Sequence, residues 1–345
     1  MDTDALAQRL FQNVTSALEM YAVYLGERLG YYRALAEHGP MTSAELAART
    51  GTAERYTREW LEHHATAGLL EVDGDRRFGM PPSHVPVLAD RESVLFDTLH
   101  SINLVRVGRR MADLVDAYRT GEAPPPIPWE PEGRAETNRP IFLNLLGKQW
   151  LPSIPSVHDR LSAGPARIAD IACGLGWSSI AMALAYPEAT VDGLDLDEHA
   201  ISVARRHAET SGVADRVTFT AMDAADLAGT EKYDLVTIIE ALHDMAQPVA
   251  SLKAARQLLA DNGSVLVLDL RTEEELTTPG PVREQQEYGW SLVACLPDGM
   301  GDPASAATGA VMRPSTLRKY AQEAGFTDVT IVPVDNDKFW FYQLT

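Results

Sequence analysis

Two short stretches of this 345-residue chain carry side chains whose type and spacing could do chemistry. The first is RIADIACGLGWSS, residues 167–179, an apolar run that ends in Asp170 and then opens into Gly174 and Gly176. Strand, tight glycine turn and helix start follow in that order, which is how a chain brings its backbone up against a nucleotide. The second is EALHDM, residues 240–245, where His243 follows another apolar run. An imidazole there has the unperturbed pKa suited to taking a proton near neutral pH.

Two aspartates extend the first stretch. Asp195 ends VDGLD, 21 residues after Gly174, about where an acidic side chain accepts hydrogen bonds from ribose hydroxyls. Asp223, in TAMDAADL, closes the next apolar run and is placed to take an adenine amino group. Each also has a structural reading, Asp195 as a strand-end turn residue and Asp223 as a helix N-cap. The dinucleotide fingerprint is incomplete, because Trp177, Ser178 and Ser179 follow Gly176 and no third glycine comes.

These residues need a scaffold. From Arg167 onward short apolar runs (RIADIA, ATVDGLDL, VTFTAM, YDLVTIIEA, SVLVLDL) alternate with amphipathic helices, which means a parallel sheet covered on both faces. The end differs: DVTIVPV and KFWFYQL are separated only by Asp335-Asn336-Asp337, so they must run antiparallel. Ahead of the sheet, residues 1 to about 67 show helical spacing, followed by two strand-like pieces joined at Asp73-Gly74. That is the layout of a winged helix. The expected division is 1–90 for the winged helix, 91–164 for a helical connector and 165–345 for the sheet. The connector carries a proline-rich loop, EAPPPIPWEPEG, that is expected to pack as a lid.

Charge excludes the usual employment of a winged helix. The chain holds 30 Lys+Arg against 49 Asp+Glu, a net of -19, which repels phosphate backbones and anionic membranes. Residues 1–90 contain 8 Arg and no Lys against 13 acidic residues, and Glu54, Glu59 and Glu62 sit on the would-be recognition helix beside Arg55 and Arg58. Neither nucleic acid nor membrane is expected as a partner; the domain reads as a dimerisation and substrate-covering module, giving a homodimer. No signal-peptide core and no run of 18 apolar residues appears, so a cytoplasmic protein is expected. Cys173 and Cys295 are far apart and lack nearby histidine pairs, so neither a disulfide nor a metal site is expected.

DIACGLG, GLDLD, MDAADL, YDLVTIIEALHDM and NGSVLVLD, taken in this order with the terminal antiparallel strand, resemble the motifs of class I S-adenosylmethionine-dependent methyltransferases. The front end is similar to the winged-helix domain of two-domain small-molecule methyltransferases. The resemblance implies an α/β fold with a Rossmann-like doubly wound sheet, and S-adenosylmethionine as cofactor. It implies that Asp170, Gly174 and Gly176 approach the amino-acid part of the cofactor, Asp195 the ribose, and Asp223 with Ala224 the adenine, with Trp177, Leu196 and Glu240 completing the set. It departs at Ala172, where the family has glycine. His243 matches the catalytic histidine of the O-methyltransferases with this front end. It would be the base for transfer to an O or N nucleophile of a small molecule; packing of the loop is its structural reading. Trp177 either meets the sulfonium, a cation–π contact of about 1 kcal/mol, or packs the first helix on the sheet. The first option admits a different enzyme, one that cyclises the cofactor to azetidine-2-carboxylate and methylthioadenosine; a catalytically silent binding protein is a third class. Trp129, Tyr288 and Trp290 are expected to line the substrate pocket, where core packing would use the same residues.

Overall fold

The structure is a computed structural model that describes residues 1–126, 134–223, 226 and 232–345. The chain divides into two compact units. The first holds residues 1–109 and a later segment ending at Pro140; the second begins at Arg110, and resumes from Ile141 to Thr345. The expected connector, 91–164, is therefore shared between them rather than forming a piece of its own.

The first unit opens with α1 (Thr3–Leu29), capped at its start by the Asp2 side chain and stopped by Gly30 in the left-handed conformation. α2 (Tyr31–His38), α3 (Ser43–Thr50) and α4 (Glu54–Thr66) follow. α3 begins with a capping box between Thr42 and Glu45, an arrangement that satisfies two orphan N–H groups at once. β1 (Glu71–Val72) and β2 (Phe78–Gly79) pair antiparallel across Asp73-Gly74, giving the wing. α5 (Val85–Leu88) and α6 (Leu99–Gly108) come next. Tyr31, Tyr32, Leu35, Leu46, Trp60, Leu61 and Phe78 form the core of this unit. α1 buries little of itself: Leu6, Leu10, Val14, Leu18, Tyr21 and Leu25 recur at helical spacing and are all exposed. On α4 the arginines are matched by acids, Arg55 with Glu59 and Arg58 with Glu54, so this helix offers no unmatched basic face.

In the second unit lie α7 (Met111–Thr120), a π-helical stretch Phe142–Trp150 that continues α8 (Arg134–Ile141), and α9 (Pro155–Ser162). The alternating part then runs β3 (Ala166–Ile171), α10 (Trp177–Ala185), β4 (Ala189–Asp195), α11 (Glu198–Thr210), β5 (Val217–Ala221), β6 (Tyr233–Ile239), α12 (Pro248–Gln257) and β7 (Leu259–Leu270). α13 (Val282–Trp290), a π-helical turn Ser291–Cys295 and α14 (Leu296–Gly299) are inserted before α15 (Pro314–Glu323), β8 (Val329–Val332) and β9 (Phe339–Leu344). The strands form one seven-stranded sheet in the order β5-β4-β3-β6-β7-β9-β8. Only β9 is antiparallel to both of its neighbours, as the three-residue link to β8 requires.

The strand order reverses at β3, and Ile171 is in register with both Leu194 of β4 and Ile238 of β6. The carboxyl ends of these three strands therefore open at one edge, the place where open α/β sheets bind ligands. Beneath that edge Val236, Ile238, Val265, Val267, Leu252, Leu317 and Tyr342 are fully or almost fully buried, and they fix the edge in position.

Candidate active site

The turn after β3 is held from below by Asp170. Its carboxylate has no exposed surface and accepts the Ser178 and Ser179 hydroxyls on Oδ2, both at 2.6 Å, and the Thr237 hydroxyl on Oδ1 at 2.7 Å. Burial raises its pKa while the three hydroxyls act to lower it. One carboxylate thus joins β3, the first turn of α10 and β6. Asp170 braces the turn after β3 from inside the core, with three hydroxyls on its carboxylate.

The glycines divide the work. At Gly176, φ is +81° and a Cβ would come within 2.5 Å of Phe219, so glycine is needed both for the backbone and for packing on β5. At Gly174, φ is +53° and a Cβ would meet nothing within 4 Å, leaving open space above the turn. Ala172 also takes a left-handed conformation, φ 58°, which for a residue with a Cβ costs roughly 1–2 kcal/mol. Glu240, φ 51°, does the same just beyond β6 and lies 3.5 Å from Lys338.

Asp195 is tied to the same turn. Its Oδ2 accepts the Gly174 N–H at 2.8 Å and its Oδ1 accepts the Asp197 N–H at 2.9 Å, which aims the carboxylate at the sheet edge with lone pairs remaining on both oxygens. Leu196 beside it is 74% exposed, an apolar surface presented at the end of a strand. Asp223 is half-buried just beyond β5, the neighbour of β4. Trp177 is buried and stacked on His207 of α11, ring centroids 4.1 Å apart. Its ring packs one helix on the next. Ala224 and Trp129 lie outside the described residues.

His243 sits in a one-turn 3-10 helix, Leu242–Asp244, after β6, and is 1% exposed. Its Nδ1 lies 2.6 Å from Oδ1 of Asp269, a buried carboxylate near the end of β7. A carboxylate can only accept, so Nδ1 carries the proton and Nε2 is the nitrogen left to do chemistry. Asp269 also accepts the His243 backbone N–H (3.3 Å) and the Leu270 N–H (2.8 Å), which locks the pair to the backbone. Burial acts to lower the His243 pKa, the charges of Asp269 and Asp244 act to raise it, and the net shift is upward. Sequence reading did not find Asp269. The signal was there, an acid closing the apolar run SVLVLDL as Asp170 closes RIAD, but only the pairing of β6 with β7 brings it to His243.

Tyr288 and Trp290 lie on and at the end of α13. The Tyr288 hydroxyl accepts from Arg313 (3.1 Å), which also grips the buried Glu284 (2.7 Å), so its outer end is engaged, while Trp290 is half-buried. The π-helical turn that follows them delivers Cys295, whose Sγ is 3.9 Å from His243 Nε2. The insertion between β7 and α15 thus reaches the histidine.

A family model described as a methyltransferase domain matches residues 165–325, and one described as an Rv2258c-like winged HTH domain matches residues 17–90. The ubiquinone biosynthesis O-methyltransferase of Dinoroseobacter shibae is 30% identical over 223 residues, 63% of this chain and 82% of that protein. The chain belongs to the S-adenosylmethionine-dependent methyltransferases. Human N-acetylserotonin methyltransferase, solved with S-adenosylmethionine, shares the fold at a TM-score of 0.74 and 18% identity, over 100% of this chain and 98% of that one. The mitomycin 7-O-methyltransferase aligns at 0.72 and 19% identity, over 99% and 98%. The methyltransferase's cofactor is S-adenosylmethionine. The open space at Gly174 and the aimed carboxylate of Asp195 fit such a group. The cyclising alternative falls away: the relatives are methyltransferases, and the indole it leaned on is stacked on His207. No helix among the described residues is long and apolar enough to cross a membrane.

Proposed function

We propose that this methyltransferase acts on a hydroxyl of a small molecule, a phenol or a hydroxylated heterocycle, with His243 Nε2 as the general base and Asp269 as its positioning residue. The observation that carries this reading is the His243–Asp269 pair at 2.6 Å, buried at the carboxyl edge of the sheet. When bound, S-adenosylmethionine supplies an electrophilic methyl group on a good leaving group, so the protein's tasks are to orient the acceptor and remove its proton. Asp195 would hold the ribose hydroxyls and Leu196 and Asp223 the adenine side, with the Gly174 turn next to the amino-acid end. Tyr288 and Trp290 are assigned to the acceptor side, because their segment runs directly into Cys295 beside the base. Relatives named for ubiquinone biosynthesis, N-acetylserotonin and mitomycin support a small acceptor.

The test is to incubate the protein with S-adenosylmethionine and matched phenol and aryl-amine acceptors, following methylated product and S-adenosylhomocysteine by mass spectrometry. Methylation of phenols in preference to amines is expected; phenol methylation that persists at a near-normal rate in His243→Ala would overturn the assignment of the base. The exposed stripe on α1, about 29 Å long from Leu6 to Leu25 at roughly 1.5 Å per residue, supports a homodimer in which it is covered by a second chain, since contiguous apolar patches of this kind are rare on monomers. Leu10→Lys with Leu18→Lys would then give a monomer in sedimentation, and an unchanged sedimentation coefficient would exclude this face.

A further inference from the structure

Beside its pairing with Asp269, His243 belongs to a second cluster. Nε2 of His243, a carboxylate oxygen of Asp244 and Sγ of Cys295 all lie within 4.8 Å of one another. Nε2 is 3.4 Å from Asp244 Oδ1 and 3.9 Å from Cys295 Sγ. Three donors around a tetrahedral zinc ion, at bond lengths near 2.0 Å for nitrogen and oxygen and 2.3 Å for sulfur, stand roughly 3.3–3.6 Å apart. Two edges of the triangle are close to this spacing as they stand, and the third closes by about 1 Å through rotation of the Asp244 side chain, the most exposed of the three.

We propose that His243, Asp244 and Cys295 form a binding site for a borderline-soft divalent metal, Zn²⁺ by preference. The donor set decides the class of ion. A thiolate and an imidazole favour Zn²⁺, Co²⁺ or Cu²⁺ over Mg²⁺ and Ca²⁺, which take oxygen donors. The outer partner is already in place: Asp269 holds Nδ1–H, fixing the tautomer with Nε2 toward the ion, which is how histidine ligands to zinc are oriented. His243 has no exposed side-chain surface, but the Asp244 side chain is 36% exposed and provides the way in, with the fourth position left for water. The thiol proton leaves to solvent as the ion binds, so occupancy strengthens with rising pH. The sequence gives no sign of such a site, since Cys173 and Cys295 are far apart and lack nearby histidine pairs; the insertion after β7 brings Cys295 to a histidine 52 residues before it. The ion would take the Nε2 lone pair that the proposed base uses, so an occupied site blocks methyl transfer and the metal is an inhibitor, not a cofactor; the binding test itself does not depend on the role of His243 as base.

The experiment uses the full chain freed of metal by chelator. Co²⁺ is titrated in and thiolate-to-cobalt charge transfer is followed in the near-ultraviolet, and Zn²⁺ affinity is measured by competition with a chromogenic chelator. A 1:1 complex with the charge-transfer band is expected. Cys295→Ser should abolish the band and weaken Zn²⁺ at least tenfold, and Asp244→Asn should weaken Zn²⁺ while keeping the band. Absence of the band in the unsubstituted protein, or Zn²⁺ affinity that Cys295→Ser leaves unchanged, would overturn the site. Methylation data for His243→Ala bear on the base alone, so the two assignments fail separately.

Discussion

Of the nine histidines, one in each unit is buried, His64 in the first and His243 in the second. Both have the same tautomer. His64 Nδ1 faces the Trp60 carbonyl at 3.1 Å and its Nε2 accepts the Tyr32 hydroxyl at 2.7 Å; His243 Nδ1 faces a carboxylate. What separates them is the charge of the partner. Burial among neutral groups drives the His64 pKa down to about 3, whereas Asp269 and Asp244 outweigh burial and drive that of His243 up. Burial alone therefore makes a histidine a core residue, and a buried carboxylate behind it makes it a candidate base.

Removing the ring sharpens the contrast most. His243→Ala should lower the methyl-transfer kcat by roughly 10²–10⁴-fold with cofactor affinity retained, measured by product formation and by calorimetry. Near-normal turnover would return His243 to the same class as His64. Asp269→Asn comes next. It should cost on the order of tenfold or more in kcat and shift the acidic limb of the pH–rate profile toward lower pH, because the limb follows a histidine whose pKa the carboxylate had raised.

His64 should show itself in stability instead. Its folded pKa lies below the unfolded value, so between about pH 6.5 and 3 the unfolded chain binds the proton that the folded one refuses. Stability is fully present above pH 6.5 and falls as pH drops, by up to about 1.4 kcal/mol per unit from this group. Denaturant titrations from pH 7 to 5 should show that slope, and His64→Gln should flatten it. The smallest effect belongs to Ala172→Gly, which relieves the left-handed strain and should stabilise the chain by about 1 kcal/mol; a lower melting temperature would mean that the alanine methyl makes contacts worth more than the strain.

The alternation of the second unit and the antiparallel end were legible because apolar runs and loop lengths dictate them locally. The glycine turn, with Asp195 at 21 residues, could likewise be found from spacing. Asp269, Cys295 and the stacking of Trp177 on His207 could not, since each depends on which strand lies beside which and on how the helices are set against the sheet. Asp170 was legible as the acid near the end of its strand, while its three hydroxyl partners were not, since they come from two separate elements.

That same aspartate bears on how mutational data from this chain should be interpreted. Ser178, Ser179 and Thr237 face inward and are buried, yet they set the shape of the turn through Asp170. With the cofactor seated at this turn as proposed, variants at these three positions should register as losses of cofactor affinity, so a map of binding-defective substitutions would draw the ligand footprint one layer too deep.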